Sequence, residues 1–166
     1  ISATAATNNM TEFGYSLNYN DSTNGAQNNT IKNCVISLNR NYSNTFGIYS
    51  NARHNADSIT TRQITDSVNG PNSFNKIYAN TINNVNFGVV MVGAGLASGM
   101  DNGNDIGGSS SATGNAITNW GGYVSGTASS YPSITSSNIG VFMNHQIGDN
   151  VSYNTVTSAN NISSST

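Results

Sequence analysis

"NKIYANTINNVNFGVV" (residues 75–90) joins two patterns that recur along the chain. In its first half Ile77 and Ile82 stand five apart, with asparagines between and around them. The same spacing returns in "NTIKNCVI" (29–36) and "NVSYNTV" (150–156), and again at Ile59 and Ile64 in "ITTRQI" and at Ile134 and Ile139 in "ITSSNI". "GNAITNW", around Ile117, is a looser copy. The second half carries another signature, an aromatic or aliphatic residue before a glycine and a short apolar run. "FGYSL" at 13, "FGIYS" at 46 and "IGVFM" at 139 repeat it, and "WGGYV" at 120 is related. Apolar residues two apart outnumber those three or four apart, which is strand periodicity, and no segment carries a sustained helical stripe.

Short strands between Asn and Gly corners, recurring at intervals with insertions, are what a solenoid of strands produces. On the "NTI" units (29–31 and 80–82), "NTV" (154–156) and the glycine-led units, the chain over residues 11–162 resembles the right-handed parallel β-helix family, a pectate-lyase-like superfamily, and in particular its non-catalytic bacterial surface and secreted members. The resemblance implies an all-β fold. With coils of roughly 20 to 25 residues it implies about seven coils, and at about 4.8 Å per strand a short rod. Ile77, Ile82, Phe87 and Val89 are the candidates for the inward column. The asparagines are read as corner residues, because Asn tolerates positive φ and bonds local backbone, and as members of amide ladders. The competing architecture is a β-sandwich, whose hairpins would turn at Asn24-Gly25 and Asn69-Gly70.

The organisation read from the sequence is an N-terminal extension (1–10), a single β-helix domain (11–162) and a tail (163–166). The Gly/Ser-rich stretches 93–114 and 125–133 are read as loops leaving the coil. The chain has 166 residues, 7% charged, with a net charge of −2, where about 25% charged is usual. No basic run is present for a phosphate backbone, so nucleic acid is excluded as a partner. Eight Tyr, five Phe and many Ile and Val set the chain apart from disordered polar sequences. No run of 18 apolar residues is present, and no membrane insertion is expected. Cys34, alone, forms no internal disulfide and reads as a small core side chain. The chain opens at Ile1 without a charged-then-apolar leader, which suggests a processed product or a piece of something longer. Scarce Lys and Glu beside abundant Asn, Ser, Thr and Gly suggests an extracellular or cell-surface location.

Chemistry is sparse. Hydrolases resembling polygalacturonases need paired aspartates with "GHG" and "RIK" type motifs, and lyases of the pectate type need clustered carboxylates for calcium and a basic residue. Neither set occurs. Arg53, His54 and Asp57 in "NARHNAD" are the nearest to a base cluster and read equally as a turn after "FGIYS"; His145 follows a strand. No catalytic residue is assigned, and the reading leans against an enzyme. "DNGNDIGG" (101–108) resembles a calcium loop, with Asp101, Asn104 and Asp105 as ligands, although Gly103 stands where an EF-hand loop supplies an oxygen. Calcium is the one cofactor for which ligands are offered. Tyr49, Tyr78, Trp120, Tyr123 and Tyr131 are candidate sugar-stacking rings. A regular Thr-x-Thr lattice for ice binding is missing.

The expected function is a non-enzymatic extracellular structural module, an adhesin, stalk or self-assembling fibre subunit. Its partners would be other copies end to end, or further coils of a longer chain. The alternative is a β-helix that binds or degrades polysaccharide, with glycans as partners.

Overall fold

Short β-branched runs closed off by residues that accept positive φ can extend only briefly before the chain turns. The computed structural model, described for residues 11–19, 23–40, 42, 44–55, 70–95, 99–121 and 138–158, consists of such strands. A first pass contains β1 (Thr11–Tyr19), β2 (Thr30–Lys32) and β3 (Val35–Ser37). A second contains β4 (Asn44–Asn55), β5 (Lys76–Tyr78) and β6 (Thr81–Asn83). The third runs through β7 (Phe87–Val92), β8 (Asp101–Asn102), β9 (Asp105–Ile106) and β10 (Ala116–Trp120). The fourth runs through β11 (Ile139–Asn144), β12 (Gln146–Ile147), β13 (Asn150–Val151) and β14 (Thr155–Ser158).

Equivalent strands of successive passes pair side by side. One sheet has the order β1-β4-β7-β11, a second β2-β5-β9-β13 and a third β3-β6-β10-β14, while β8 pairs with β12. Every ladder among the described residues is parallel. The fold is therefore all-β with stacked parallel sheets, an architecture compatible with a β-helix. The antiparallel sandwich is set aside. Gly25, read as a hairpin residue, instead lies so close to the Gly70–Pro71 backbone that a Cβ would strike it.

The register explains the periodicity of the sequence. Ile77 lies between Ile31 and Ile106, with Val151 beyond. Ile82 lies between Ile36 and Ile117, with Val156 beyond. These isoleucines form one buried cluster with Ile48, Val85, Val89 and Met91, each burial contributing about 1.5 to 3 kcal/mol. Phe87, expected in the same column, joins a second cluster with Phe46, Tyr49, Val90 and Val92. Its ring stacks on Phe46 at 4.6 Å, and Phe46 on Phe13 at 5.4 Å. All six residues of β7 are buried, which is why "FGVVMV" reads as a continuous apolar run rather than an alternating one.

The glycine after each aromatic also has a structural cause. Gly14, Gly47, Gly88 and Gly140 form a file in which a Cβ on any of the first three would strike the carbonyl of the next. The same Cβ would meet the Cγ2 methyl of Ile36, Ile82 or Ile117, and at Gly140 the Cγ1 of Val156. The bare backbone is what lets the third sheet's aliphatics press against the first sheet.

Three expectations are corrected. The described residues make four passes rather than about seven, because Phe13, Phe46, Phe87 and Ile139 are register partners and the passes are 33, 41 and 52 residues long (13 to 46, 46 to 87, 87 to 139). Four strands stacked at about 4.8 Å span only about 15 Å. The stretch 93–114 is not a loop throughout, since β8 and β9 lie in it, and the excursion between Ile106 and Ala116 is shorter. Strands of two residues leave no periodic trace. Arg53 and His54 lie within β4, which extends to Asn55, rather than in a turn. The stretch 125–133, the segments 1–10 and 163–166, and Ile59, Ile64 and Ile134 lie outside the described residues. Ile139 takes the place of an aromatic opposite Phe87.

Candidate functional site

At one corner of each pass a residue with positive φ is followed by a residue whose polar side chain reaches into the neighbouring pass. Asn28, Phe74, Gly103 and Gly148 have φ of 58°, 58°, 65° and 66°, and Asn29, Asn75, Asn104 and Asp149 follow them. Oδ1 of Asn75 accepts from the backbone N–H of Asn29 at 3.0 Å and from its side-chain amide at 3.0 Å. Asn104 Oδ1 does the same for Asn75, at 2.9 and 3.2 Å. Asp149 Oδ1 accepts from the Asn104 N–H at 2.8 Å.

A second ladder runs beside it. Cys34 N–H donates to Asn80 Oδ1 at 3.0 Å. Asn80 gives its backbone and side-chain N–H groups to Asn115 Oδ1, both at 3.0 Å, and Asn115 gives its own to Asn154 Oδ1 at 3.0 and 2.8 Å. The remaining amide hydrogens go backward to carbonyls, from Asn75 to Ala26, Asn80 to Ile31, Asn104 to Asn72, Asn115 to Ile77 and Asn154 to Ile106. A shorter third series leads from Ala26 N–H to Asn72 Oδ1 and from Asn72 N–H to Asp101 Oδ1, each at 2.8 Å. In all three, backbone N–H groups point from an earlier pass to a later one. In these ladders the buried amides of Asn75, Asn80, Asn104 and Asn115 are satisfied, as burial demands.

The residues of the expected calcium loop fall into this framework, with their side-chain oxygens engaged by hydrogen-bond donors. Asp101, fully buried, accepts from Asn72 N–H and, on Oδ2, from Gln146 Nε2 at 3.0 Å. Burial pushes its carboxyl up to about 7, against the two hydrogen bonds and with help from the Asp149 charge. Asn104 spends its oxygen on Asn75. Asp105 takes Tyr78 OH at 2.6 Å on Oδ2, and Gly108 N–H at 2.9 Å and Asn150 Nδ2 at 2.8 Å on Oδ1. Partial burial of Asp105 is outweighed by these donors and by Lys76, which hold its carboxyl below the ordinary range. A calcium ion at these three residues would have to displace the donors. Among the described residues no group of three His, Cys, Asp or Glu is placed to hold a metal.

The aromatic candidates are scattered. Tyr49 is fully buried, ringed by Phe13 and Phe46, and its OH accepts from Asn51 Nδ2. Trp120 packs against the main cluster and over Gly140. Tyr78 is half-buried on the flank, and its donation to Asp105, with burial second, pushes its hydroxyl up to about 12. Tyr123, Tyr131 and Asp57 lie outside the described residues. His145 forms the corner between β11 and β12 with φ 54°, and its carbonyl accepts from Asp101 N–H at 3.2 Å. Cys34 is half-buried, 3.3 Å from Tyr15 OH.

The two ends of the stack differ. In the first pass Ile31 and Ile36 are 7% and 5% exposed, whereas in the last Val151 and Val156 are 48% and 44% exposed, with Tyr153 and Ile147 exposed beside them. The ladder positions at this last pass, Asp149 and Asn154, were missed in the sequence. Their signal was present. Every residue of the first two ladders stands two before a column aliphatic, as in Asn75-Lys76-Ile77, Asn80-Thr81-Ile82, Asn104-Asp105-Ile106 and Asn115-Ala116-Ile117, and only Cys34 and Asp149 among them depart from Asn.

No known family model matches the chain, and no curated protein or solved structure matches it.

Proposed function

We propose that the chain is a right-handed parallel β-helix serving as a non-enzymatic extracellular structural module, of the kind used in an adhesin, a stalk or a fibre, and that its working surface is its open end. Right-handedness is the rule for parallel strands joined by crossovers. The observation that carries the reading is the uniform direction of the ladders together with the exposed last pass. Asp149 N–H and Asn154 N–H have no acceptor among the described residues, and Val151 and Val156 have no apolar cover comparable to that of Ile106 and Ile117. An edge with these properties is completed by another strand layer, from a second copy or from further coils. The low charge of the chain places little repulsion in the way.

Sedimentation velocity across a concentration series tests this. The reading predicts species larger than a monomer that grow with concentration; a monomer at every concentration overturns the self-associating form of it.

A second reading, glycan binding on the flank, has one observation in its favour. Tyr78, Asp105 and Asn150 form a hydrogen-bonded polar patch with Lys76 beside it. Binding to a panel of neutral and acidic polysaccharides, lost on Tyr78→Ala, would promote it.

A further inference from the structure

The first and last passes carry the same corners, so the way the first is covered shows what fits the last. Asn28 and Asn33 take positive φ at 58° and 57°, and Gly148 and Tyr153 do so at 66° and 57°. Both pairs stand five apart, and Ile31 and Ile36 correspond to Val151 and Val156. The second pass covers the first at these corners with one stretch of chain, Asn75 to Ile82. Oδ1 of Asn75 and Oδ1 of Asn80 accept the N–H groups of Asn29 and Cys34, each at 3.0 Å. The Asn80 side-chain amide returns to the Ile31 carbonyl at 2.9 Å, and Ile77 and Ile82 are the register partners of Ile31 and Ile36. At the last pass β13 and β14 are edge strands. Asp149 N–H and Asn154 N–H stand where Asn29 N–H and Cys34 N–H do, without an acceptor among the described residues, and Val151 and Val156 are exposed.

Given that this end is the working surface, we infer that it binds an extended segment of a partner chain with the pattern Asn-x-Ile/Val-x-x-Asn-x-Ile/Val, laid parallel and in register on β13 and β14. The two side-chain carbonyl oxygens, five residues apart, receive Asp149 N–H and Asn154 N–H. The aliphatic two residues after each asparagine covers Val151 or Val156, and the second amide returns to the Val151 carbonyl, the counterpart of Ile31. The contact continues the interface that already joins each pass to the next. Main-chain bonds to the sheet edge supply affinity, and the paired asparagines and aliphatics supply selectivity. The first pass of a second copy meets only part of this pattern. It offers Asn29 at one position, but at the other it has Cys34, whose sulfur is a weak acceptor, and its Ile31 and Ile36 are already covered.

Titration of the ¹⁵N-labelled protein with a synthetic peptide of residues 75–82 tests the inference, beside a second peptide carrying Asn75→Ala and Asn80→Ala, with sedimentation velocity on the same samples. The native peptide is expected to shift the Asp149, Val151, Asn154 and Val156 amides and to bind at least about tenfold more tightly than the alanine peptide, since each lost oxygen removes one bond to the edge. No shift of those amides, or equal binding of the two peptides, overturns it. If larger species form while neither peptide shifts these amides, the inference falls and end-to-end association stands. A monomer whose end amides respond to the native peptide supports the inference and removes the self-associating form of the function.

Discussion

Asparagines in this protein serve two ends, turning the chain and tying passes together, and Asn84 and Asn119 serve both. Asn28, Asn33, Asn84 and Asn119 take positive φ and turn the chain, where their cost is lower than that of most residues. Asn75, Asn80, Asn104 and Asn115 are buried and fasten one pass to the next. Replacing Asn115 by Ala would leave the buried Asn80 N–H without its acceptor and would take one of two bonds from the Asn80 side-chain amide and from the Ile77 carbonyl, which keep Ile31 and Gly107. A loss of about 3 kcal/mol is expected in chemical denaturation, because orphaned buried groups cost more than a bond returns. Asp101 gives a pH signature of its own. Its carboxyl is pushed up to about 7 in the fold, so between about pH 4 and pH 7 the folded state binds the extra proton and unfolding free energy falls by at most a few kcal/mol as pH rises. Denaturant midpoints at pH 5 and pH 7.5 should differ in that direction, and less so in Asp101→Asn.

At the scale of the strand, much of the fold was legible. The five-residue spacing of Ile31 and Ile36, Ile77 and Ile82, and Val151 and Val156 marks the step from the second sheet to the third. The third copy was hidden because "GGSSSATG" separates Ile106 from the Asn115-Ala116-Ile117 unit, so that two stacked aliphatics stand eleven apart in sequence. Two-residue strands such as β8, β9, β12 and β13 fall below any periodicity. The glycine after the aromatic was visible, but its cause was not, since it depends on an isoleucine from another sheet. Gly88→Ala would set a methyl against the Gly140 carbonyl and the Ile117 methyl. Backbone cannot rotate aside as a side chain can, so a loss of about 3 kcal/mol is expected, visible as a lower denaturation midpoint. The surroundings of Tyr49 and of the acids at 101 and 105 were not legible for a related reason, because residue type alone does not reveal which lone pairs and ring faces are already occupied.

For the molecule as a whole, the stack is asymmetric, covered at its first pass and open at its last. Val156→Lys would place a charge on that open face, since Val156 is 44% exposed and meets buried backbone only where its Cγ1 lies over Gly140. The monomer's melting temperature should change by less than a few degrees, while larger species in sedimentation velocity should disappear. Unchanged association in that variant would move the contact away from this end. All of these expectations rest on parallel, in-register stacking of passes, and methyl NOE spectroscopy on isoleucine-labelled protein tests that most directly. The account predicts that Ile77 shows contacts to both Ile31 and Ile106, and Ile82 to both Ile36 and Ile117. Absence of these two series in a folded, well-dispersed spectrum would contradict it.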